Sequence, residues 1–125
     1  MVVKIKTATF TGIEGIPINV EVDINRGLPH FNIVGMADTS IKESKDRVRS
    51  AIINSGFEFP LGRITVNLSP ADIKKEGALF DLPIAIGILC ATKQIKVEDI
   101  KEYVFLGELS LVGELKKVKG ALPIV

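Results

Sequence analysis

The sequence predicts a single domain of the α+β class, and three observations support this. Residues in the first third alternate between apolar and polar types, which is typical of strands with one buried face. Two later segments have the apolar spacing or the continuous apolar composition of helices. The length of 125 residues, with 46% apolar and 25% charged residues, fits one globular domain and excludes intrinsic disorder.

The first elements are predicted to be an antiparallel hairpin and a short strand. An early strand is expected around residues 3–10, and residues 11–17 form a longish loop to the next strand. Residues 18–24 form that second strand, because apolar residues alternate with polar ones at Ile18, Val20, Val22 and Ile24. A turn at residues 25–29 then leads to a short strand at residues 31–34.

The first helix is predicted to start near Asp38 or Thr39, either of which can cap its N-terminus. Gly56 ends it as a C-terminal glycine cap. Small and apolar residues at helical spacing make one narrow stripe along it: Ile41, Ser44, Val48, Ala51, Ile52 and Ser55. A strand follows at residues 63–69, with three residues pointing inward: Ile64, Val66 and Leu68.

The second helix differs from the first because residues 82–90 leave no polar face. A helix that is apolar all round is buried on most sides. Asp81 is interpreted as its N-cap, and a buried acid is the alternative. Gly87 lies inside this helix at a cost of about 1 kcal/mol in helix propensity, so we expect close packing there.

The last part of the chain is predicted to contain a short helix and two strands. The helix covers residues 97–101, and the strands cover residues 103–111 and 114–118. Residues 120–125 have the pattern of a helix that begins and has no stop signal. We therefore expect residues 1–125 to be the N-terminal domain of a longer protein.

Charge and cysteine content exclude several classes of function. The formal net charge of +1 argues against a surface built mainly to coat nucleic acid or anionic membrane. Cys90 is the only cysteine and His30 the only histidine, which excludes an internal disulfide and leaves few ligands for a transition metal. We interpret Cys90 as an inert core thiol and His30 as a surface or half-buried imidazole in a loop. The sequence has no targeting segment, no membrane span and no phosphate-binding P-loop, and we expect a cytoplasmic protein.

Clustered cations are the candidate contacts to DNA or to a partner. They lie on the first helix and in two later groups: Lys42, Lys45, Arg49, Lys74, Lys75, Lys116, Lys117 and Lys119. No aromatic residue is interleaved with the two later groups for base stacking. Arg47 is left out because Glu43 lies four residues before it, at the spacing of a helical ion pair. A solvated helix face is the alternative interpretation of these cations.

Several long motifs carry a resemblance to a known family. They are GLPHFNIVGMAD at residues 27–38, IKESKDRVRSA at 41–51, FEFP at 57–60, RITVNLSPAD at 63–72, KEG at 75–77 and FDLPIA at 80–85. Over nearly its whole length the chain resembles the N-terminal, ChlI-like domain of the ComM/YifB family of magnesium-chelatase-related AAA+ ATPases. The resemblance implies a fold like the second domain of ribosomal small-subunit protein five. The Lon protease domain shares that fold, which has two main helices on a mixed sheet and a left-handed β-α-β crossover, against the usual hand.

The resemblance also implies what the domain does. The positions of the Lon serine and lysine fall on Leu79 and Leu122, so we expect no peptidase chemistry. The family's ATPase core, with its ATP and Mg²⁺, is expected beyond residue 125, and this segment is expected to hold no cofactor or metal. ComM proteins resemble hexameric helicases that promote branch migration during natural transformation. The expected role is therefore a non-catalytic accessory domain that contacts DNA, a partner or its neighbours in the ring, and no membrane.

Two alternative roles remain open at this stage. The first is the domain of a magnesium-chelatase-type subunit, which would work with a porphyrin-binding partner. The second is a degenerate peptidase scaffold that binds peptide without cleaving it.

Overall fold

The computed structural model describes residues 2–11, 14–70, 80–96, 108–109 and 115–116. These residues form a mixed α and β structure, as the sequence predicts. The elements in chain order are β1 (Val2–Thr11), β2 (Glu14–Asn25), β3 (His30–Val34), α1 (Asp38–Asn54), β4 (Arg63–Ser69), α2 (Asp81–Ala91), β5 (Glu108–Leu109) and β6 (Leu115–Lys116).

Strands β1 to β4 form one mixed sheet in the order β1-β2-β4-β3. Strand β2 pairs antiparallel with both β1 and β4, and β3 pairs parallel with β4. Because β3 and β4 are parallel neighbours, α1 is the connection of a β-α-β unit. The α+β class is confirmed, and the Lon-like fold with its left-handed crossover stays a prediction.

The hairpin of β1 and β2 is tighter than the sequence predicts. The two strands pair from Val2 opposite Asp23 to Thr11 opposite Glu14. The prediction of a long loop at residues 11–17 is therefore wrong, because residues 14–17 belong to β2. Ladder hydrogen bonds along a twisted antiparallel pair outweigh the turn preference of the glycine-rich and proline-containing segment.

One face of the sheet and the two helices enclose a single core. The inward positions of β2 and β4 are buried as predicted, except that Ile24 is only partly buried. Most of the apolar stripe of α1 is buried too, although Ser55 is exposed. Helix α2 packs on β1 and β2, and α1 packs on α2. At Gly87 of α2 an added Cβ would lie 2.5 Å from Cγ2 of Val22, so the predicted close packing is confirmed.

Helix ends differ from the predicted caps. Ala37, in extended conformation, is the N-cap of α1, and its carbonyl accepts hydrogen bonds from the Ser40 and Ile41 amides. Asp38 and Thr39 therefore lie inside the first turn and are not caps. The glycine end is confirmed: Gly56 has φ +90°, and the Gly56 and Phe57 amides donate to the carbonyls of Ile53 and Ile52. This pair of bonds is a Schellman motif.

The C-terminal third is described only in part. Strands β5 and β6 pair antiparallel, Glu108 opposite Lys116 and Leu109 opposite Leu115, inside the two predicted strands. The predicted helices at residues 97–101 and 120–125 lie outside the described residues. Within the described part of the chain, no helix has both the length and the apolar character needed to cross a membrane.

Candidate functional site

A groove of about 750 Å³ lies where β3 and β4 begin, and we call it the aromatic groove. Its walls come from the start of β3, the last turns of α1 and the loop that joins α1 to β4. The side chains used below are Phe31, Arg49, Ile53, Glu58, Phe59 and Leu61. Because α1 runs back along the sheet before β4 begins, the fold brings these three segments to the same end of the molecule.

Two cations lie over the aromatic rings of the groove. The Lys45 ammonium is 5.9 Å from the centre of the Phe31 ring, and the Arg49 guanidinium is 5.4 Å from the centre of the Phe59 ring. The two rings lie 5.5 Å apart with a tilt of 45°. Each distance is within the range of a favourable cation–π contact. The fold therefore places aromatic rings beside Lys45 and Arg49, although none is interleaved with these cations in the sequence.

The candidate cations of α1 follow one face of the helix. Lys42, Lys45 and Arg49 are spaced by three and four residues, and Lys42 and Arg49 are exposed. Arg49 lines the groove and makes no salt bridge or side-chain hydrogen bond with the described residues. Glu58 lines the same groove without forming an ion pair with Arg49.

The loop of the groove is held in place by a side chain that follows α2. The Gln94 Oε1 accepts a hydrogen bond of 2.8 Å from the Glu58 amide, and Gln94 Nε2 donates one of 2.8 Å to the Glu58 carbonyl. The same Nε2 donates to Thr92 Oγ1 at 2.9 Å. With the Schellman motif at one end, these bonds give the loop a fixed conformation before any partner binds.

Large apolar side chains are exposed around the groove. Leu61 is 92% exposed and Leu28, in the turn before β3, is 88% exposed. Ile53, on the groove side of α1, is 50% exposed. Large apolar side chains that are exposed together on a protein surface commonly mark a site of interaction.

A buried ion pair joins the two helices at Asp81. The carboxylate is fully buried; Arg47 Nε donates to Oδ2 at 2.6 Å and the Ser44 hydroxyl donates to Oδ1 at 2.8 Å. Arg47 also lies 3.8 Å from Glu43, which confirms the predicted helical pair. The interpretation of Asp81 as N-cap is wrong, because its side chain turns to α1 and Phe80 occupies the cap position.

The remaining candidate groups offer little reactivity. Burial raises the pKa of the half-buried Cys90 thiol above its ordinary value, which supports an inert thiol. His30 is exposed as predicted, but it is the first residue of β3 and not part of a loop. Among the residues that the structure describes, no group of three or more His, Cys, Asp or Glu side chains could hold a metal ion.

The other predicted site residues cannot be placed together with the groove. Lys116 is in β6, where only the backbone is described. The rest lie outside the described residues: Lys74, Lys75, Leu79, Lys117, Lys119 and Leu122.

Sequence reasoning did not find the aromatic groove itself. The segment FEFP at residues 57–60 is the sequence signal that could have indicated it, because it places two phenylalanines in a loop directly after a helix-ending glycine. Phe31, 28 positions before Phe59, comes next to it only through the parallel pairing of β3 and β4.

Comparison with known proteins places the chain in a family. Residues 20–125 match the family model described as subunit ChlI of Mg-chelatase. The chain therefore belongs to the ChlI family, as its motifs indicate.

Its relatives are longer proteins. The chain is 50% identical over 118 residues to the uncharacterized protein YifB of Escherichia coli, covering 94% of this chain and 23% of that protein. It is 46% identical over 114 residues to the competence protein ComM of Haemophilus influenzae, covering 91% and 22%. The uncharacterized protein Rv2897c of Mycobacterium tuberculosis is 40% identical over 91% of this chain and 23% of its own length. The chain thus spans about a quarter of the length of these relatives.

Proposed function

We propose that this chain is a non-catalytic accessory domain of a larger AAA+ ATPase related to ComM and YifB, and that it acts by contact through the aromatic groove. ATP and Mg²⁺ belong to the ATPase core elsewhere in such a protein, and DNA branch migration is the work of the whole assembly. The family match and the coverage of 22–23% of the YifB and ComM lengths support this role.

The observation that carries the proposal is the aromatic groove, whose features favour contact with a partner over catalysis. Its cations lie on rings, its loop is pinned by Gln94, and its rim is apolar. The nearest arrangement of a hydroxyl with an acid, Ser44 with Asp81, is fully buried, and Ser44 donates its proton to the carboxylate. A nucleophile needs access to substrate, and this serine is fully buried.

The test is nucleotide binding and peptidase activity of the purified chain beside the full-length protein. Calorimetry with ATP and Mg²⁺ should show binding to the full-length protein and none to this chain. A serine-reactive probe should leave the chain unlabelled, with Ser44→Ala as the control for background. ATP affinity of the chain in the micromolar range, or labelling that Ser44→Ala removes, would show that the domain is catalytic.

A further inference from the structure

We infer that the aromatic groove docks a segment of a partner protein that presents an apolar side chain next to a carboxylate. This rests on the proposed function, because it names the chemistry of the partner that an accessory domain would contact.

The apolar part of the partner is indicated by the rim of the groove. Leu61 and Ile53 line the groove with exposed large apolar side chains, together with Phe31 and Ile64. Water contact with these groups is unfavourable, so an apolar side chain that covers them gains the free energy of their burial. Exposed apolar groups beside aromatic residues and an arginine are the usual composition of an interface centre.

The carboxylate is indicated by Arg49. Its guanidinium lies on the Phe59 ring, and no salt bridge or side-chain hydrogen bond ties it to the described residues. A guanidinium offers several donors in a plane, which match the two oxygens of a carboxylate. Lys45 on the Phe31 ring adds a second positive charge beside it, against the single negative charge of Glu58 in the groove. The charge of the site is therefore complementary to an acidic segment.

The same geometry disfavours a single-stranded nucleic acid as the occupant. Base stacking needs an open ring face, and here a cation lies over each of Phe31 and Phe59 while the rings lie 5.5 Å apart. The exposed apolar side chains have no counterpart on a sugar-phosphate backbone. A protein segment can use both the exposed apolar side chains and the Arg49 guanidinium.

The pinned loop explains why the groove is ready for a partner. Gln94 pairs with both backbone groups of Glu58, and the glycine turn at Gly56 sets the exit from α1. Ordering a loop on binding reduces affinity, and this loop is ordered beforehand.

The test uses two labelled synthetic peptides and the purified protein. One peptide alternates leucine and phenylalanine with aspartate, and its twin has lysine in place of each aspartate. Fluorescence anisotropy should show saturable binding of the acidic peptide, at least about tenfold tighter than the twin. Equal binding of the two peptides, or no saturable binding of the acidic one up to about 1 mM, would overturn the inference.

Matched variants locate the binding. Arg49→Glu should weaken binding of the acidic peptide by about tenfold or more, and Lys42→Glu, the same charge change outside the groove lining, by less than about threefold. Leu61→Asn should weaken binding, and Val34→Asn, on the other face of the sheet, should not. Equal effects within either pair would show that binding is not in the groove. Thermal unfolding of each variant, with Arg49→Gln as a neutral substitution, separates an effect on docking from an effect on folding.

A third measurement compares binding of a single-stranded nucleic acid with binding of the acidic peptide. Labelled oligothymidylate should bind more weakly than the acidic peptide and should not displace it. Oligothymidylate that binds more tightly, and that Phe59→Ala weakens, would replace protein docking with nucleic-acid binding. Either result leaves the non-catalytic role of the domain standing, because that part of the proposed function is tested by the ATP and probe experiments.

Discussion

Asp81 connects the two helices through a carboxylate that has no contact with water. It sits in the first turn of α2 and receives hydrogen bonds from Ser44 and Arg47 of α1. A buried charge is tolerated only when it is paired and hydrogen-bonded, and this arrangement meets both conditions. The position of α1, and with it one wall of the aromatic groove, depends on this contact.

Replacing Asp81 by asparagine should destabilise the protein strongly. The change keeps the shape but removes the buried carboxylate that lies closest to the mostly buried Arg47 guanidinium, so we expect a loss of about 3 kcal/mol in the free energy of unfolding. Urea unfolding is the measurement. Asp46→Asn, an acid of α1 that is exposed, is the control and should stay within about 0.5 kcal/mol of the wild type. Similar losses for both variants would mean that the pair does not hold the helices together.

The Cys90 thiol should react slowly with alkylating agents. Burial raises its pKa, so less of the reactive thiolate is present at a given pH than for a free thiol. The reaction with iodoacetamide at mildly alkaline pH should be slower than that of glutathione and should speed up when urea unfolds the chain. The stability linked to this thiol is complete below its unfolded pKa and is lost as the pH rises through its folded pKa. Alkylation as fast as glutathione in the folded protein would contradict this.

At the scale of elements, the residues of α2 favour close packing over helix propensity. Pro83 and Gly87 are poor helix formers, yet both are buried in it. Gly87 lets the helix approach β1 and β2, where Val22 and Ile5 fill the space that a side chain would need. Tertiary packing therefore outweighs local preference in this helix.

Gly87→Ala should destabilise the protein although alanine favours helices. The added methyl group meets Val22 Cγ2 at 2.5 Å, and overpacking costs typically about 1–3 kcal/mol, more than the gain of up to about 1 kcal/mol in helix propensity. Chemical denaturation measures the net loss. The double variant Gly87→Ala with Val22→Ala should show a favourable coupling, because the clash is gone. A stabilised single variant would show that the sheet yields to the methyl group.

At the scale of the whole molecule, the two faces of the four-stranded sheet differ in the side chains that the described residues place on them. The helices cover the apolar face, and the other face carries polar and charged side chains such as Lys4, Glu21 and Asn67, which lie across from one another on three strands. The aromatic groove lies at one end of this arrangement. Its few cations and the net charge of +1 suit a local docking contact better than extended nucleic-acid binding.

DNA binding by the full-length protein should survive charge reversal on α1. Changing Lys42, Lys45 and Arg49 to glutamate should leave DNA affinity within about threefold and the salt dependence of binding unchanged, because Lys45 and Arg49 serve the docking of protein. Binding is measured over a series of salt concentrations, with the wild type as reference. A slope shallower by about one unit for each phosphate that the variant no longer binds would instead make this face a DNA-binding surface.

The sequence alone determined the local structure. Alternation in β2 and β4, the stripe on α1 and the glycine at its end predict elements that the structure confirms, because each depends on residues close together in the chain. The family also followed from local motifs. Cap positions were missed by one or a few residues, because a cap depends on backbone dihedral angles that the residue type only favours.

The tertiary structure alone decided what the side chains contact. Asp81 has the sequence position of a cap, but the packing of α1 on α2 places a guanidinium and a hydroxyl beside it. Lys45 and Arg49 have no aromatic neighbours in the chain, and the parallel pairing of β3 with β4 brings Phe31 and Phe59 to them. Contacts between residues distant in sequence depend on strand order and helix placement, and no local pattern encodes these.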